Sequence, residues 1–155
     1  MSRLKSWNAY RAAALVLLVF CVLHSYGALL STPHFGAASD AVVESMRTVN
    51  FSAQGFTDTW YGFYLGFGWF SSILFAISGL QLWVIGGRDL ATRRTDRTLV
   101  WLLAIANAIG IGLCARYFFP AALIFSIIAT LAIFYALLHD SRMCSKAAAQ
   151  EPAGE

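Results

Sequence analysis

One stretch of the chain limits its possible folds more than any other feature. Residues 60–86 run for 27 residues without a charged side chain, which exceeds the roughly 20 residues that an α-helix needs to cross a bilayer. Three further apolar stretches lie at about 12–30, 98–119 and 121–138. Because a segment in lipid must satisfy its backbone hydrogen bonds internally, these four stretches predict an all-α integral membrane four-helix bundle.

The composition agrees with lipid as the main solvent of the chain. Charged residues make up 12% of the sequence, whereas soluble proteins carry about 25%. Although the net charge is +3, the basic residues form short clusters between apolar stretches, so we expect no nucleic-acid partner. The three cysteines form no CxxC pair and no metal-ligand spacing, and we predict neither a metal nor a cofactor.

The distribution of basic residues predicts the orientation of the spans. Lys and Arg concentrate in the N-terminal flank, in the loop at 87–97 and in the C-terminal tail, whereas the loop at 31–59 contains only Arg47. By the positive-inside rule, both termini are cytoplasmic in the plasma membrane and the loop at 31–59 faces outward. The first span resembles a signal peptide, but the large Tyr26 disfavours cleavage after Ala28, so we expect it to be retained.

The long outward loop is predicted to contain one short helix. Within residues 39–50, apolar side chains at Val42, Met46 and Val49 recur at helical spacing. This amphipathic helix either lies on the membrane surface or forms a lid over a site. Polar residues that favour N-cap positions precede both this helix and the second span: Ser39 or Asp40 for the first, and Thr57 or Asp58 for the second.

The domain boundary is predicted near the end of the fourth span. Residues 1–140 form the membrane domain, and the small, polar residues of 141–155 predict a disordered cytoplasmic tail. Small residues at a spacing of four predict close helix packing, either within the chain or between two copies. They are Gly62xxxGly66 and Gly68xxxSer72 in the second span, and Ala104xxxAla108xxxGly112 in the third.

Polar residues within the spans are candidates for a binding site, because polar groups in lipid usually face the protein interior or a cavity. Counted from the span ends, they cluster towards the outward side. We therefore predict an outward-facing pocket lined by His24, Tyr26, Asp58, Tyr61, Tyr64, Asn107 and Arg116. In the alternative interpretation, Arg116 reaches the membrane surface or pairs with Asp58, the tyrosines form an interfacial belt, and His24 bonds a backbone carbonyl.

Several chemistries are disfavoured by the same residues. No Asp or Glu lies in the four predicted spans, which argues against an emopamil-binding type of sterol isomerase. The absence of paired cysteines argues against a vitamin K epoxide reductase-like protein. His24 and His139 differ in predicted depth by roughly 20 Å at 1.5 Å per helical residue, so one haem iron cannot bind both.

The first half of the chain carries a family resemblance. The segments 7–11 (WNAYR), 31–36 (STPHFG) and 60–64 (WYGFY), with His24 and Gly27, resemble a group of small uncharacterised bacterial four-span membrane proteins. This resemblance implies the four-span architecture and no particular activity.

Three functions are compatible with these features. The first is a protein that binds a hydrophobic or amphipathic small molecule in the outward pocket, or an accessory subunit of a membrane assembly. The second is an enzyme that acts on a lipid or isoprenoid-like substrate, with His24 as acid or base. The third, a small transporter, is disfavoured because only Asn107 lies near the midplane. The expected partners are membrane lipid, a hydrophobic small molecule, a second copy or another membrane protein.

Overall fold

A computed structural model describes residues 8–31 and 34–150 of the chain. In this part of the chain, helices dominate and a single hairpin supplies the strands. The elements in chain order are α1 (Ala9–His24), a π-helical segment (Ser25–Leu30), α2 (Ala37–Thr48), β1 (Asn50–Ala53), β2 (Phe56–Thr59), α3 (Trp60–Gly86), α4 (Leu90–Thr95), α5 (Arg97–Tyr117) and α6 (Pro120–Gln150).

Four of these segments are long and apolar enough to cross a membrane. They are Ala9–Leu30, Trp60–Gly86, Arg97–Tyr117 and Pro120–Met143. The predicted all-α four-helix fold is therefore confirmed, and the second span has the bounds expected from its charge-free sequence. Pro120 opens α6, as expected for a residue that lacks a backbone donor and fits the first helical turn.

Helix α6 is longer than the sequence predicts. We expected a disordered tail from residue 141, but the helix continues to Gln150. Most residues of this extension, among them Arg, Met, Lys, Ala and Gln, are strong helix formers, which explains the continuation. Residues 151–155 lie outside the described part of the chain, as do Arg3, Lys5 and Pro33.

The loop between the first two spans contains the expected helix α2, but with a different N-terminus. The N-cap residue is Gly36, whose φ of 99° favours glycine, and no side chain caps the helix, so the predicted cap at Ser39 or Asp40 is wrong. Asp40 instead accepts a hydrogen bond from the backbone N–H of Phe35 at 3.3 Å. No residue of α2 is buried.

The strands β1 and β2 form an antiparallel hairpin that the sequence analysis missed. Its register pairs Phe51 with Asp58, and the turn residues Gln54 and Gly55 both have positive φ, as a tight hairpin turn requires. Strand β2 leads directly into α3. The cap of α3 is Thr59, whose hydroxyl accepts from the Gly62 N–H at 2.9 Å, and the predicted caps Thr57 and Asp58 do not take this role.

The chain divides into two compact units. Among the described residues, one unit contains the beginning of α1 up to Phe20 together with residues 77–150, and the other is Cys21–Ala76. The first unit holds a buried core to which all four long helices contribute. This core includes Ala13, Leu17, Leu82, Ile85, Val100, Ala104, Ile133 and Leu137.

Glycines allow α1 and α3 to approach closely within the first unit. A Cβ atom added to Gly79 would lie 2.9 Å from Leu18 Cγ and 3.1 Å from the backbone oxygen of Ala14. At Gly86, the side-chain amide of Asn8 donates to the backbone oxygen at 2.7 Å. Such small residues permit the short interhelical distances on which packing in lipid depends.

The predicted small-residue motifs have mixed outcomes. Within the second unit, Gly68 packs against Leu29 and Ser72 is buried, so this motif mediates intrachain packing. Gly66 faces open space. In α5, Ala104 is buried whereas Ala108 and Gly112 are exposed.

Candidate functional site

The second unit contains a polar cluster formed by Cys21, His24, Ser25 and Ser72. Ser25 Oγ donates to Ser72 Oγ at 2.9 Å, and His24 Nδ1 lies 2.9 Å from the same oxygen. Because Ser72 already accepts from Ser25, its own proton can be donated to His24 Nδ1. The thiol of Cys21 also donates to the backbone oxygen of Ser72, at 3.2 Å.

The chemistry open to this cluster is limited by burial. Ser72 is 3% exposed, so its hydroxyl is enclosed by its partners. The ring of His24 also contacts Phe75 edge-on, with ring centroids 5.8 Å apart. Interhelical hydrogen bonds in lipid stabilise helix pairs, and we interpret this cluster as a connection between α1 with its π-helical extension and α3.

We expect Ser72→Ala to destabilise the protein by about 1 kcal/mol, because a side chain at the centre of a buried hydrogen-bond chain is lost. Thermal unfolding in mild detergent measures this effect. Ser71→Ala is the matched control, since Ser71 donates only to the Phe67 backbone oxygen of its own helix, at 3.0 Å. Equal losses in the two variants would contradict the proposed role of Ser72.

Three of the predicted pocket residues lie at or near the start of α3. Tyr61 and Tyr64 contact each other with ring centroids 6.1 Å apart, and the Arg47 guanidinium lies 4.7 Å from the Tyr61 ring centroid. The Asp58 carboxylate accepts from the Thr59 N–H at 2.7 Å. Tyr26 is 68% exposed on the π-helical segment.

The other two predicted residues belong to the first unit, on α5. The Asn107 side chain donates to the Leu103 backbone oxygen of its own helix at 2.8 Å. Arg116 is exposed, and its guanidinium lies 5.2 Å from the Tyr117 ring centroid. The structure thus brings Tyr61 and Tyr64 together, and the seven-residue outward pocket stays a prediction.

A second polar cluster, formed by Tyr10, Arg93 and Asp140, lies in the first unit. The Asp140 carboxylate accepts from Tyr10 Oη at 3.0 Å through one oxygen and from Arg93 Nη1 at 3.0 Å through the other. Its side chain is 15% exposed and that of Arg93 is 18% exposed. The Arg93 guanidinium also lies 5.6 Å from the Tyr10 ring centroid.

A basic cavity adjoins this cluster, which we call the arginine cavity. Its volume is about 310 Å³, and its lining contains three arginines, one carboxylate and two serines. The lining residues are Tyr10, Leu90, Arg93, Arg94, Arg97, Leu137, Asp140, Ser141 and Ser145. The arginines come from α4 and the first residue of α5. Asp89 is the N-cap of α4, and its carboxylate accepts a hydrogen bond from the Thr92 N–H at 2.9 Å. This hydrogen bond keeps the pKa of Asp89 below its ordinary value.

A larger cavity shares Tyr10, Arg93 and Asp140 with the arginine cavity. We call it the apolar cavity, because α1 and α6 line it mainly with hydrocarbon, including Ala9, Ala12, Leu131, Ala132, Tyr135 and Ala136. Its volume is about 650 Å³. The two cavities together place a cationic compartment beside an apolar one, and the three shared residues line both of them.

Tyr10, Arg93 and Asp140 were not among the site residues predicted from the sequence. A signal was available, because the charge distribution already assigned the N-terminal flank, the 87–97 loop and the end of the fourth span to one membrane side. Asp140 lies at the end of the fourth span, and its carboxylate could on this basis have been predicted to pair with an arginine of the 87–97 loop. The fourth span was predicted to end near Leu138, which placed Asp140 at the boundary of the tail and outside the spans.

Fold and composition define this chain as an all-α, multi-pass membrane protein. Comparisons of the chain with protein-family models, with curated proteins and with solved structures find no match. The resemblance to small bacterial four-span proteins therefore stays a prediction. The function proposed below rests on the geometry of the two cavities and of the Tyr10, Arg93 and Asp140 cluster.

Proposed function

We propose that this protein binds an amphipathic small molecule, with an anionic head in the arginine cavity and an apolar part in the apolar cavity. The observation that carries this proposal is the adjacency of the two cavities across Tyr10, Arg93 and Asp140. Basic pockets between transmembrane helices are suited to anionic lipid head groups. The proposal keeps the ligand class that the sequence predicts and assigns it to a different site.

The charges of the arginine cavity support an anionic ligand. Arg93 is paired with Asp140, whereas Arg94 and Arg97 have no carboxylate within 4.0 Å among residues 8–31 and 34–150. Unpaired guanidinium groups near a membrane attract anionic lipid by about 1 kcal/mol each. Membrane lipid supplies such molecules at high local concentration.

Retention of lipid through purification tests this proposal. In mild detergent, the wild-type protein should retain an anionic amphipathic molecule that native mass spectrometry detects. The variant Arg94→Gln/Arg97→Gln should retain roughly 30-fold less, because two favourable charges are removed.

The matched control for this experiment is Arg88→Gln. Arg88 lies in the same loop but pairs with Asp96 at 2.6 Å and does not line either cavity, so retention should stay at the wild-type level. Equal retention by wild type and the double variant would overturn the proposal.

We further propose that the protein lies in the plasma membrane with both termini and the arginine cavity on the cytoplasmic side. The concentration of Arg and Lys in these segments supports this orientation. In a cysteine-free background, an impermeant maleimide added to intact cells should label Gln54→Cys in the hairpin turn and leave Ala91→Cys in α4 unlabelled. The reverse labelling pattern would contradict the orientation.

A further inference from the structure

The hydrogen-bond donors of the arginine cavity restrict its ligand more sharply than its charge alone. Ser141 Oγ already donates to the Leu137 backbone oxygen at 2.8 Å, and Ser145 Oγ donates to the Ser141 backbone oxygen at 3.2 Å. The Tyr10 hydroxyl donates to Asp140. The hydroxyl protons are therefore occupied, and the guanidinium groups are the donors left for a ligand.

One of these guanidinium donors is buried without an acceptor. Arg93 Nε has no hydrogen-bond partner among the described residues, although Nη1 of the same group binds Asp140. This nitrogen is also closed to solvent, so a ligand in the cavity meets the exposed guanidinium groups of Arg94 and Arg97 instead. The ligand head must be rich in acceptor oxygens, because guanidinium groups donate hydrogen bonds and accept none.

Planar guanidinium groups match the oxygens of phosphate, which they bind in pairs. The number of unpaired positive charges in the cavity determines whether a phosphate monoester or a phosphodiester fits it better. Arg94 and Arg97 leave two positive charges without a carboxylate in the described part of the chain. A phosphate monoester carries about −1.5 to −2 charges at neutral pH and exposes three oxygens. A phosphodiester carries one charge and exposes two free oxygens.

We propose that the arginine cavity selects the phosphomonoester head of a lipid over a phosphodiester head. This inference rests on the proposed function, because it specifies the head group of the ligand in the same site. The apolar cavity receives the beginning of the hydrocarbon chain, and Arg94 and Arg97 balance the dianionic head.

Binding of defined lipids to the purified full-length protein tests the selection. Phosphatidylcholine nanodiscs containing a minor fraction of phosphatidic acid or of phosphatidylglycerol, with identical acyl chains, provide the two heads. We expect at least fivefold tighter binding of phosphatidic acid, which is about the ratio that one additional charge near a membrane gives. Native mass spectrometry measures the ratio of bound lipids.

Two variants test whether the ratio of bound phosphatidic acid to bound phosphatidylglycerol depends on the arginine cavity. In Arg94→Gln/Arg97→Gln, the ratio should approach one, whereas Arg88→Gln should keep the wild-type ratio because its partner is Asp96. A circular dichroism spectrum at the wild-type level confirms that each variant is folded. Soluble glycerol 3-phosphate, which carries the same head without a hydrocarbon chain, should bind much more weakly than phosphatidic acid.

The outcomes separate the two proposals. Equal binding of both lipids, lost in the double variant, would overturn the selection of the monoester and support the proposed function. Binding of neither lipid would overturn both. Glycerol 3-phosphate binding as tight as that of phosphatidic acid would support a monoester site and overturn the lipid as its source.

Discussion

Gly79→Leu is expected to destabilise the protein by about 3 kcal/mol, near the upper end of the usual cost of overpacking. A Cβ at this position would lie 3.1 Å from the Ala14 backbone oxygen, which cannot rotate away, and 2.9 Å from Leu18 Cγ. Helix α1 would have to move away from α3 in the first unit. Thermal unfolding of the purified protein in mild detergent measures the loss.

The matched control is Gly66→Leu in the same helix. A Cβ at Gly66 meets nothing within 4 Å, so the larger side chain should extend into the surrounding lipid. Leucine is also a better helix former than glycine, by up to about 1 kcal/mol. The control should therefore be as stable as the wild type or slightly more stable. Similar losses in both variants would show that close packing at Gly79 is not the cause.

The sequence could predict the spans because length and hydrophobicity alone determine which segments suit a bilayer. For α3, the predicted span and the helix have the same bounds. Helix rotation is harder to predict, since a span that is apolar on all sides gives little signal about which face packs inward. The spacing of four identified Gly68 and Ser72, whereas Gly79 and Gly86, seven residues apart, were missed although both pack closely on α1 in the first unit.

The candidate site was harder to predict for a related reason. Tyr10, Arg93 and Asp140 are far apart in the sequence, and their contact depends on where α4 directs its arginines and on how far α6 continues. Charge patterning predicts that they share a membrane side, but it does not give their distances. The depth of His24 in its span indicated that its side chain contacts other polar groups. Its hydrogen-bond partner Ser72, however, was predicted only to pack closely against another helix.

Asp140→Ala is expected to destabilise the protein by about 2 kcal/mol. Removing one member of a buried ion pair leaves the other charge without compensation, at about 3–5 kcal/mol when burial is complete. The side chains of Arg93 and Asp140 are 18% and 15% exposed, so we reduce this value for solvent screening. The Tyr10 hydroxyl, on a residue that is 2% exposed, also loses its acceptor.

Asp96→Ala is the matched control for this loss. Asp96 pairs with Arg88, whose side chain is 42% exposed, and a pair with such an exposed member contributes about 0.5 kcal/mol or less. Thermal unfolding in detergent without added lipid compares the two variants. A loss in Asp96→Ala as large as that in Asp140→Ala would contradict the structural role of the Tyr10, Arg93 and Asp140 cluster.

Lipid should partly restore the stability of Asp140→Ala, because the substitution releases Arg93 and adds one unpaired positive charge to the arginine cavity. A ligand that binds only the folded state stabilises it in proportion to the logarithm of its concentration over its dissociation constant. Phosphatidic acid should therefore raise the melting temperature of Asp140→Ala more than that of the wild type. An equal increase in both proteins would mean that Arg93 does not contact the head group, and the arginine cavity would then bind its ligand through Arg94 and Arg97 alone.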